Sequence, residues 1–373
     1  MRPDDYAILV GIQKYPGAPL VELSGPLNDV EYFRRWLIDP RGGDMNPANV
    51  RTLLTPSPAP MVPIGDYPPT HGEFYTLFRS IVYGPGPAPI KRPNGRLYLL
   101  FSGHGFSDIK DNSTHAALYC ANVQPGLSWN VCGTVLARWC QRAAVFGEVV
   151  LVMDCCRDAE VSKKIDVSPL DDIYDPASNG VRKLEVYAVP FGDKAQERDF
   201  SDVERRHGLL TYTLVTALYG APLEAVGKGS AATQARTGHT LKKFMEGCWH
   251  DIAGDNGPEA PEFVLPHRGD ICFSSHPPGV FPRRVRFLPP IAGTATLSVV
   301  GDNGQANLVV ELDAGQSQAL IKSGAAAPVK KHFDGTDLVL ELHPEMYEAR
   351  LEAPGSATRT ALMPMVGDQD VVV

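Results

Sequence analysis

Two stretches decide the fold: RLYLLFSGHG at residues 96–105 and EVVLVMDCCRD at residues 148–158. Each opens with a short run that is apolar everywhere but its two ends, too brief for a helix and too continuous for a strand with one wet face. That pattern belongs to a strand covered on both sides of a parallel sheet. Working outward, YAILVGI at 6–12 reads as a first strand of the same kind, 27–37 as an amphipathic helix, 50–54 as a second strand and 70–83 as a helix. The third strand is 96–102, followed by a helix at 131–143, a fourth strand at 148–154, a fifth at 183–191 and two more helices at 209–219 and 240–252. Repeated strand–helix units predict an α/β domain with a mainly parallel sheet and helices on both faces, whose sites gather beyond the carboxyl ends of the strands.

The intervening segments carry turn chemistry. The Pro-rich stretches 56–69 and 84–93 cannot extend a sheet and read as exposed loops. Residues 157–181 and 193–207 are polar and aperiodic and read as loops as well. After about Ser275 prolines punctuate the chain and helical periodicity gives way to alternation, with strands expected at 296–300, 307–312, 337–342 and 347–351. The expected division is therefore an α/β domain at 1–275 and a small all-β, sandwich-like domain at 276–373.

With 373 residues, 43% hydrophobic and 21% charged, the chain has ordinary globular composition and enough length for one large core and a smaller one. Its net charge of −8 is spread without blocks of like sign, which argues against nucleic acid or an anionic membrane as partner. The first 25 residues lack a basic flank followed by a long apolar core, and no apolar run approaches the roughly 18 residues of a membrane span, so a cytoplasmic protein is expected. Seven cysteines, Cys120, Cys132, Cys140, Cys155, Cys156, Cys248 and Cys272, form no paired CxxC pattern; disulfides and a structural metal are not expected.

The chemistry sits at two strand ends. Ser102-Gly103-His104-Gly105 leaves the third strand and Asp154-Cys155-Cys156-Arg157-Asp158 leaves the fourth. Consecutive strands of such a sheet are commonly neighbours, which would bring an imidazole and a thiol to one edge. A thiol of ordinary pKa, about 8.5, is mostly protonated at neutral pH and needs a base beside it to become a nucleophile. The N–H groups of Gly105 and Cys156 could hold a substrate oxyanion, worth about 3 kcal/mol per donor. Alone, a His or a Cys reads more simply as packing; together, in matched contexts, they read as a dyad. Zinc held by His104, Cys155 and Cys156 is disfavoured because adjacent cysteines fit ligand spacing poorly. A nucleotide site has no GxGxxG or GxxxxGK[ST] to support it.

These motifs resemble the caspase and metacaspase family. YAILVGIQKYPGAPLVELSGPLND at 6–29 is similar to the family's opening strand and first helix entry, with Leu23-Ser24-Gly25-Pro26-Leu27-Asn28-Asp29 as its Leu-x-Gly-x-x-Asn-Asp element. SGHG and DCC follow in the family's order, His104 and Cys156 lie 52 residues apart, and Ala195, Glu197 and His207-Gly208-Leu209-Leu210-Thr211 resemble the later Ala-x-Glu and Gly-x-x-Thr elements. The resemblance spans about 6–275, probing none of the tail. It implies a caspase-like fold and a cysteine endopeptidase with His104 as base and Cys156 as nucleophile; shifting the motif by one makes Cys155 the nucleophile instead. It also implies an acidic S1 pocket lined by Asp29 and Asp154, suited to Arg or Lys, although Asp29 equally suits a helix start. Animal caspases use basic side chains to accept aspartate, and Arg34 or Arg157 would be needed for that here. Self-cleavage at Lys163-Lys164 or Arg182-Lys183 is a further expectation. No cofactor is expected; calcium dependence occurs among metacaspases, but Asp171, Asp172 and Asp175 read more simply as a solvated acidic loop. The implied partner is a protein substrate, with a regulatory partner for the β-domain, and a catalytically silent scaffold is the rival reading.

Overall fold

A central sheet is assembled from strands whose residues alternate between two separate cores. The computed structural model describes residues 2–110, 113–158, 165, 170–200, 205–226, 233–276, 281–301, 306–324, 333, 335–342, 347–363 and 371–373. In chain order the first elements are β1 (Tyr6–Gly11), α1 (Pro26–Ile38), β2 (Val50–Leu54), α2 (His71–Val82), β3 (Arg92–Ser102), β4 (Gly105–Lys110), β5 (Ser113–Tyr119), β6 (Asn130–Cys132), α3 (Gly133–Arg142) and β7 (Phe146–Asp154). They continue with β8 (Arg182–Tyr187), β9 (Glu197–Phe200), β10 (Arg205–Gly208), α4 (Leu209–Gly220), β11 (Glu224–Val226), β12 (Thr233–Ala235), α5 (Gly238–Ala253) and β13 (Glu262–Val264).

The main sheet runs β2-β1-β3-β7-β8-β13, parallel throughout except for β13 at the edge. On one face Leu97, Leu99 and Phe101 of β3 and Val149, Leu151 and Met153 of β7 pack with Phe74 and Phe78 of α2 and Leu136 of α3. On the other, Tyr98, Leu100, Val150 and Val152 pack with α1, α4 and α5 through Phe33, Trp36, Leu214 and Phe244. Period-2 side chains covered on both sides produce the unbroken apolar runs of the sequence, and each fully buried Leu or Val contributes about 1.5–3 kcal/mol. The α/β architecture with a mainly parallel sheet is therefore as expected.

Several boundaries differ. The expected helix at 131–143 begins two residues later, because Val131 and Cys132 pair with β5. The stretch 193–207 is no simple loop: β9 and β10 form an antiparallel hairpin in which Glu197 faces Gly208. β8 stops at Tyr187, and β3 starts early, at Arg92, with a bulge before Arg96 that accommodates Pro93 outside the regular ladder. β4, β5 and β6 make an antiparallel sheet that weak alternation concealed. Arg182 and Lys183 lie within the β7–β8 ladder, where a protease cannot reach an extended peptide, so self-cleavage there is not supported. Lys163 and Lys164 lie outside the described residues.

In the tail, β14 (Phe281–Arg286), β15 (Thr294–Gly301), β16 (Ala306–Asp313), β17 (Gln318–Gly324), β18 (Asp337–Leu342), β19 (Tyr347–Glu352), β20 (Arg359–Met363) and β21 (Val371–Val372) form a three-stranded and a five-stranded sheet. Their inward residues, among them Leu297, Val299, Leu308, Val310, Leu340 and Leu351, make a third core. β14, β17, β20 and β21 were not anticipated; prolines obscure the first, polar residues interrupt the next two, and the last is only two residues long.

At the amino end of the sheet, away from the strand ends that carry the motifs, Arg96 is buried. Its Nε lies 2.6 Å from Glu148, its Nη1 2.7 Å from the Tyr98 hydroxyl and its Nη2 2.7 Å from the Cys272 carbonyl. Burial alone would raise the Glu148 carboxyl, yet Arg96 and Arg182 outweigh it and hold it below the usual range. Glu148→Ala would leave a buried guanidinium without its main counter-charge and is expected to cost about 3 kcal/mol, read by urea unfolding at pH 7. Arg96→Met with Glu148→Leu should cost less than that single change; an equal or larger loss would refute the account.

Candidate active site

The parallel register of β3 and β7 pairs Ser102 with Asp154. Both strands end on that rung, so His104 and Cys156 each stand two residues beyond it on the same edge. Gly103 carries the chain off β3 with φ +152°, a conformation that side chains rarely adopt, and a Cβ there would come within 2.5 Å of the Tyr15 hydroxyl. A pocket of about 80 Å³ opens between the two chain ends, lined by Leu23, Asp29, Ser102, Gly103, His104, Asp154, Cys156, Ala195, Gln196, Glu197 and Gly208. Four of the five residues singled out from sequence meet there. Gly105 does not line it; it opens β4 and packs against Cys155, whose Sγ would lie 2.5 Å from a Cβ at that position.

The imidazole of His104 is held by its Nε2, 2.7 Å from the backbone carbonyl of Val21. A carbonyl only accepts, so Nε2 carries the proton and Nδ1 of the neutral ring is the acceptor. Among the described residues no hydrogen bond joins the ring to Cys156. That thiol is partly buried and points to the carbonyl of Ala195, 3.9 Å away. Burial pushes the Cys156 thiol up from its ordinary value, the hydrogen bond near Ala195 only partly opposing this, so the resting group is a thiol that a base must deprotonate. Cys155 is different: it is buried in the core and burial drives its thiol well up, which makes it inert packing.

Two carboxyls form the pocket floor. Asp29 sits in the first turn of α1, where a helix start also suits it. Its side chain accepts from Ser102 Oγ at 2.8 Å and from the Gly208 N–H at 3.0 Å, and lies 2.9 Å from His207 Nδ1. Asp154 accepts from the Thr211 N–H at 2.9 Å and its hydroxyl at 2.7 Å. Burial raises both carboxyls, that of Asp154 to about 7 with the nearby Asp29 adding to the effect. A third carboxylate, Glu197, accepts from the Ser24 and Gly25 N–H groups at 3.1 and 3.0 Å, tying the loop that bears Val21 to the strand that follows Ala195.

Neither arginine that could reverse the pocket's charge enters it. Arg157 is buried, ion-paired with Glu262 and stacked 4.3 Å from the Tyr187 ring centroid, while Arg34 pairs with Glu31 on α1. Asp172 and Asp175 pair with Arg142 and Lys91. Sequence reading did not single out Ser102, Thr211, Val21 or Tyr15 as site residues. Val21 acts through its backbone, which leaves no side-chain signature, and Ser102 was read only as part of the motif ending the strand.

No family model matches the chain, and no curated protein matches it. Among solved structures, caspase-1 from Spodoptera frugiperda superposes with a TM-score of 0.43 at 10% identity, over 73% of this chain and 92% of that one. The pro-sf-caspase-1 structure gives 0.39 at 11% identity, over 70% and 91%. With TM-scores under 0.5, neither likeness assigns the chain to a family.

The raised Asp154 has a measurable consequence. Its folded value of about 7 lies above the ordinary 3.8, so between those limits the folded state holds the extra proton and stability falls as pH rises. Asp154→Asn keeps an acceptor for Thr211 but cannot titrate. Chemical denaturation at pH 4.5, 6 and 8 should show a smaller fall for this variant than for the unaltered protein; parallel curves would show that Asp154 does not titrate in that window.

Proposed function

We propose that the chain is a caspase-like cysteine endopeptidase, its peptidase domain spanning 1–275. The observation that carries this reading is the Ser102–Asp154 register, which sets His104 and Cys156 at one pocket. In the proposed reaction the Cys156 thiol gives its proton to His104 Nδ1 and Sγ attacks the scissile carbonyl carbon. The Cys156 N–H would hold the oxyanion, and the Gly105 N–H, outside the pocket lining of the free protein, would have to join it as substrate binds. His104 then protonates the leaving amine, and water hydrolyses the thioester to release acid and thiol. Because the ring and thiol are not yet hydrogen-bonded, substrate binding is taken to close the gap.

The floor of Asp29 and Asp154, whose pocket neither Arg34 nor Arg157 lines, favours Arg or Lys at the cleaved position. A bound cation would draw both carboxyls toward their charged forms. The β-rich 276–373 region is proposed as a separate domain for a regulatory partner. Among the described residues no helix is long and apolar enough to cross a membrane, and a cytoplasmic location is part of the proposal. A silent scaffold is the second reading, favoured only by the missing His104–Cys156 bond.

Fluorogenic peptides ending in Arg, Lys or Asp test both parts. Arg and Lys peptides should be cleaved and Asp peptides spared, Cys156→Ala should abolish turnover, and Cys155→Ala should retain much of it. Preference for Asp would overturn the pocket assignment, and activity surviving Cys156→Ala would overturn the nucleophile. Asp29→Asn should lower kcat/KM on Arg peptides by tenfold or more, about 1.4 kcal/mol of transition-state stabilisation.

A further inference from the structure

We propose that Tyr15 is a positioning residue for His104, fixing the backbone and the plane of the imidazole so that Nδ1 is offered to the cysteine; this rests on reading His104 as the base. Three observations converge on it. The Tyr15 hydroxyl accepts the backbone N–H of His104 at 2.8 Å. It donates in turn toward the carbonyl of Ile12, the first residue after β1, at 3.3 Å. The Tyr15 ring packs against the His104 ring, centroids 5.2 Å apart and inclined by 57°.

The hydroxyl matters because it, and not a neighbouring strand, pairs the His104 N–H, while the Gly103 N–H reaches the Asp154 carbonyl at 3.3 Å and the His104 carbonyl accepts from the Tyr119 N–H at 2.9 Å. Gly103 has turned out of the sheet, and its φ of +152° is compatible with a hydroxyl sitting where a Cβ would be. Without Tyr15 the His104 N–H would lose its partner beside the core, leaving the Ile12 N–H to Ser102 carbonyl bond to reference the turn to the β1 segment. Tyr15 is itself buried, so its own position is set by packing and not by the solvent.

Tyr15 also begins the turn that delivers the second restraint. Ala18 N–H bonds back to the Tyr15 carbonyl, Leu23 N–H to the Gln13 carbonyl, and between these Val21 presents its carbonyl to His104 Nε2. One short loop therefore grips the histidine at three places: backbone N–H, ring face and Nε2. The third sets which nitrogen is protonated. The first two set where the other nitrogen points, and a ring free to rotate about its Cβ would satisfy Val21 only part of the time. In the step this serves, the thiol proton passes to Nδ1, leaving thiolate and imidazolium with no other reactant.

The full chain carrying Tyr15→Phe tests it, since Phe keeps the ring and removes the hydroxyl. Alkylation by iodoacetamide, quantified separately at Cys155 and Cys156 by fragmentation mass spectrometry, is compared with the unaltered protein and with His104→Ala across pH 5–9. Nitrogen-15 spectra of the imidazoles, with the His104 signals assigned by their loss in His104→Ala, report the tautomer. The expected result for Tyr15→Phe is a Cys156 rate lowered about tenfold near neutral pH, a smaller share of the Nε2–H tautomer, and Cys155 still unlabelled. Cys156 alkylated at the normal rate with an unchanged tautomer would overturn the proposal, as would labelling of Cys155, which would mean that the hydroxyl merely holds the core together. If His104→Ala leaves the Cys156 profile unchanged, it is the dyad that fails, independently of Tyr15. Should Tyr15→Phe not fold, 3-fluorotyrosine at position 15 keeps the shape while weakening the acceptor oxygen, and a normal rate and tautomer there would count equally against the proposal.

Discussion

The parallel pairing of β3 with β7 in one register governs everything that happens at the sheet's carboxyl edge. Because Ser102 faces Asp154, the two chains run out of ladder together. A one-residue slip would turn every side chain of one strand to the opposite face. The register is protected against that slip by the cores on both sides: Leu99 and Phe101 belong to one, Tyr98 and Leu100 to the other, and no exchange of faces leaves both filled. Hydrophobic packing thus fixes the placement of a polar site.

The same burial shapes the site's charge. Asp29 and Asp154 lie where water cannot solvate them; burial raises both, Asp29 adds to the rise of Asp154 and Glu197 to that of Asp29, so the pocket holds protons that an open carboxylate would have released. Their remaining oxygen capacity is largely taken up by Ser102, Thr211 and the Gly208 N–H. These donors keep the carboxyls oriented toward a common space while leaving the pocket small. Burial also separates the adjacent cysteines: alternation along the chain sends Cys155 into the core and leaves Cys156 at the opening.

The histidine is held from outside the sheet, by the loop between β1 and α1. Glu197 anchors that loop at Ser24 and Gly25, while Cys156 addresses Ala195 two residues upstream of the same glutamate. The two residues of the proposed dyad are thus referenced to one short segment leading into the β9–β10 hairpin. His104 and Cys156 thereby line one pocket, and among the described residues no hydrogen bond joins them.

The sheet, its helices and the edge on which His104 and Cys156 emerge were legible in the sequence, because double-sided burial writes itself as continuous apolar runs ended by Ser102 and Asp154. The antiparallel β4–β6 sheet and the β9–β10 hairpin were not, since their short strands mix polar and apolar residues without clear alternation, nor was β14, whose partners β18 and β21 lie far along the chain. By itself the sequence determined that an imidazole leaves one strand end and a thiol with a carboxyl leaves the next, with a second carboxyl at the start of the first helix. Only the tertiary structure decided that Cys155 is packing, that Arg157 turns away to Glu262, and that Val21 and Tyr15 hold His104. Those outcomes rest on which side of a backbone faces the core and on contacts made by carbonyls and hydroxyls across long sequence separations, information that no local spacing of residues contains.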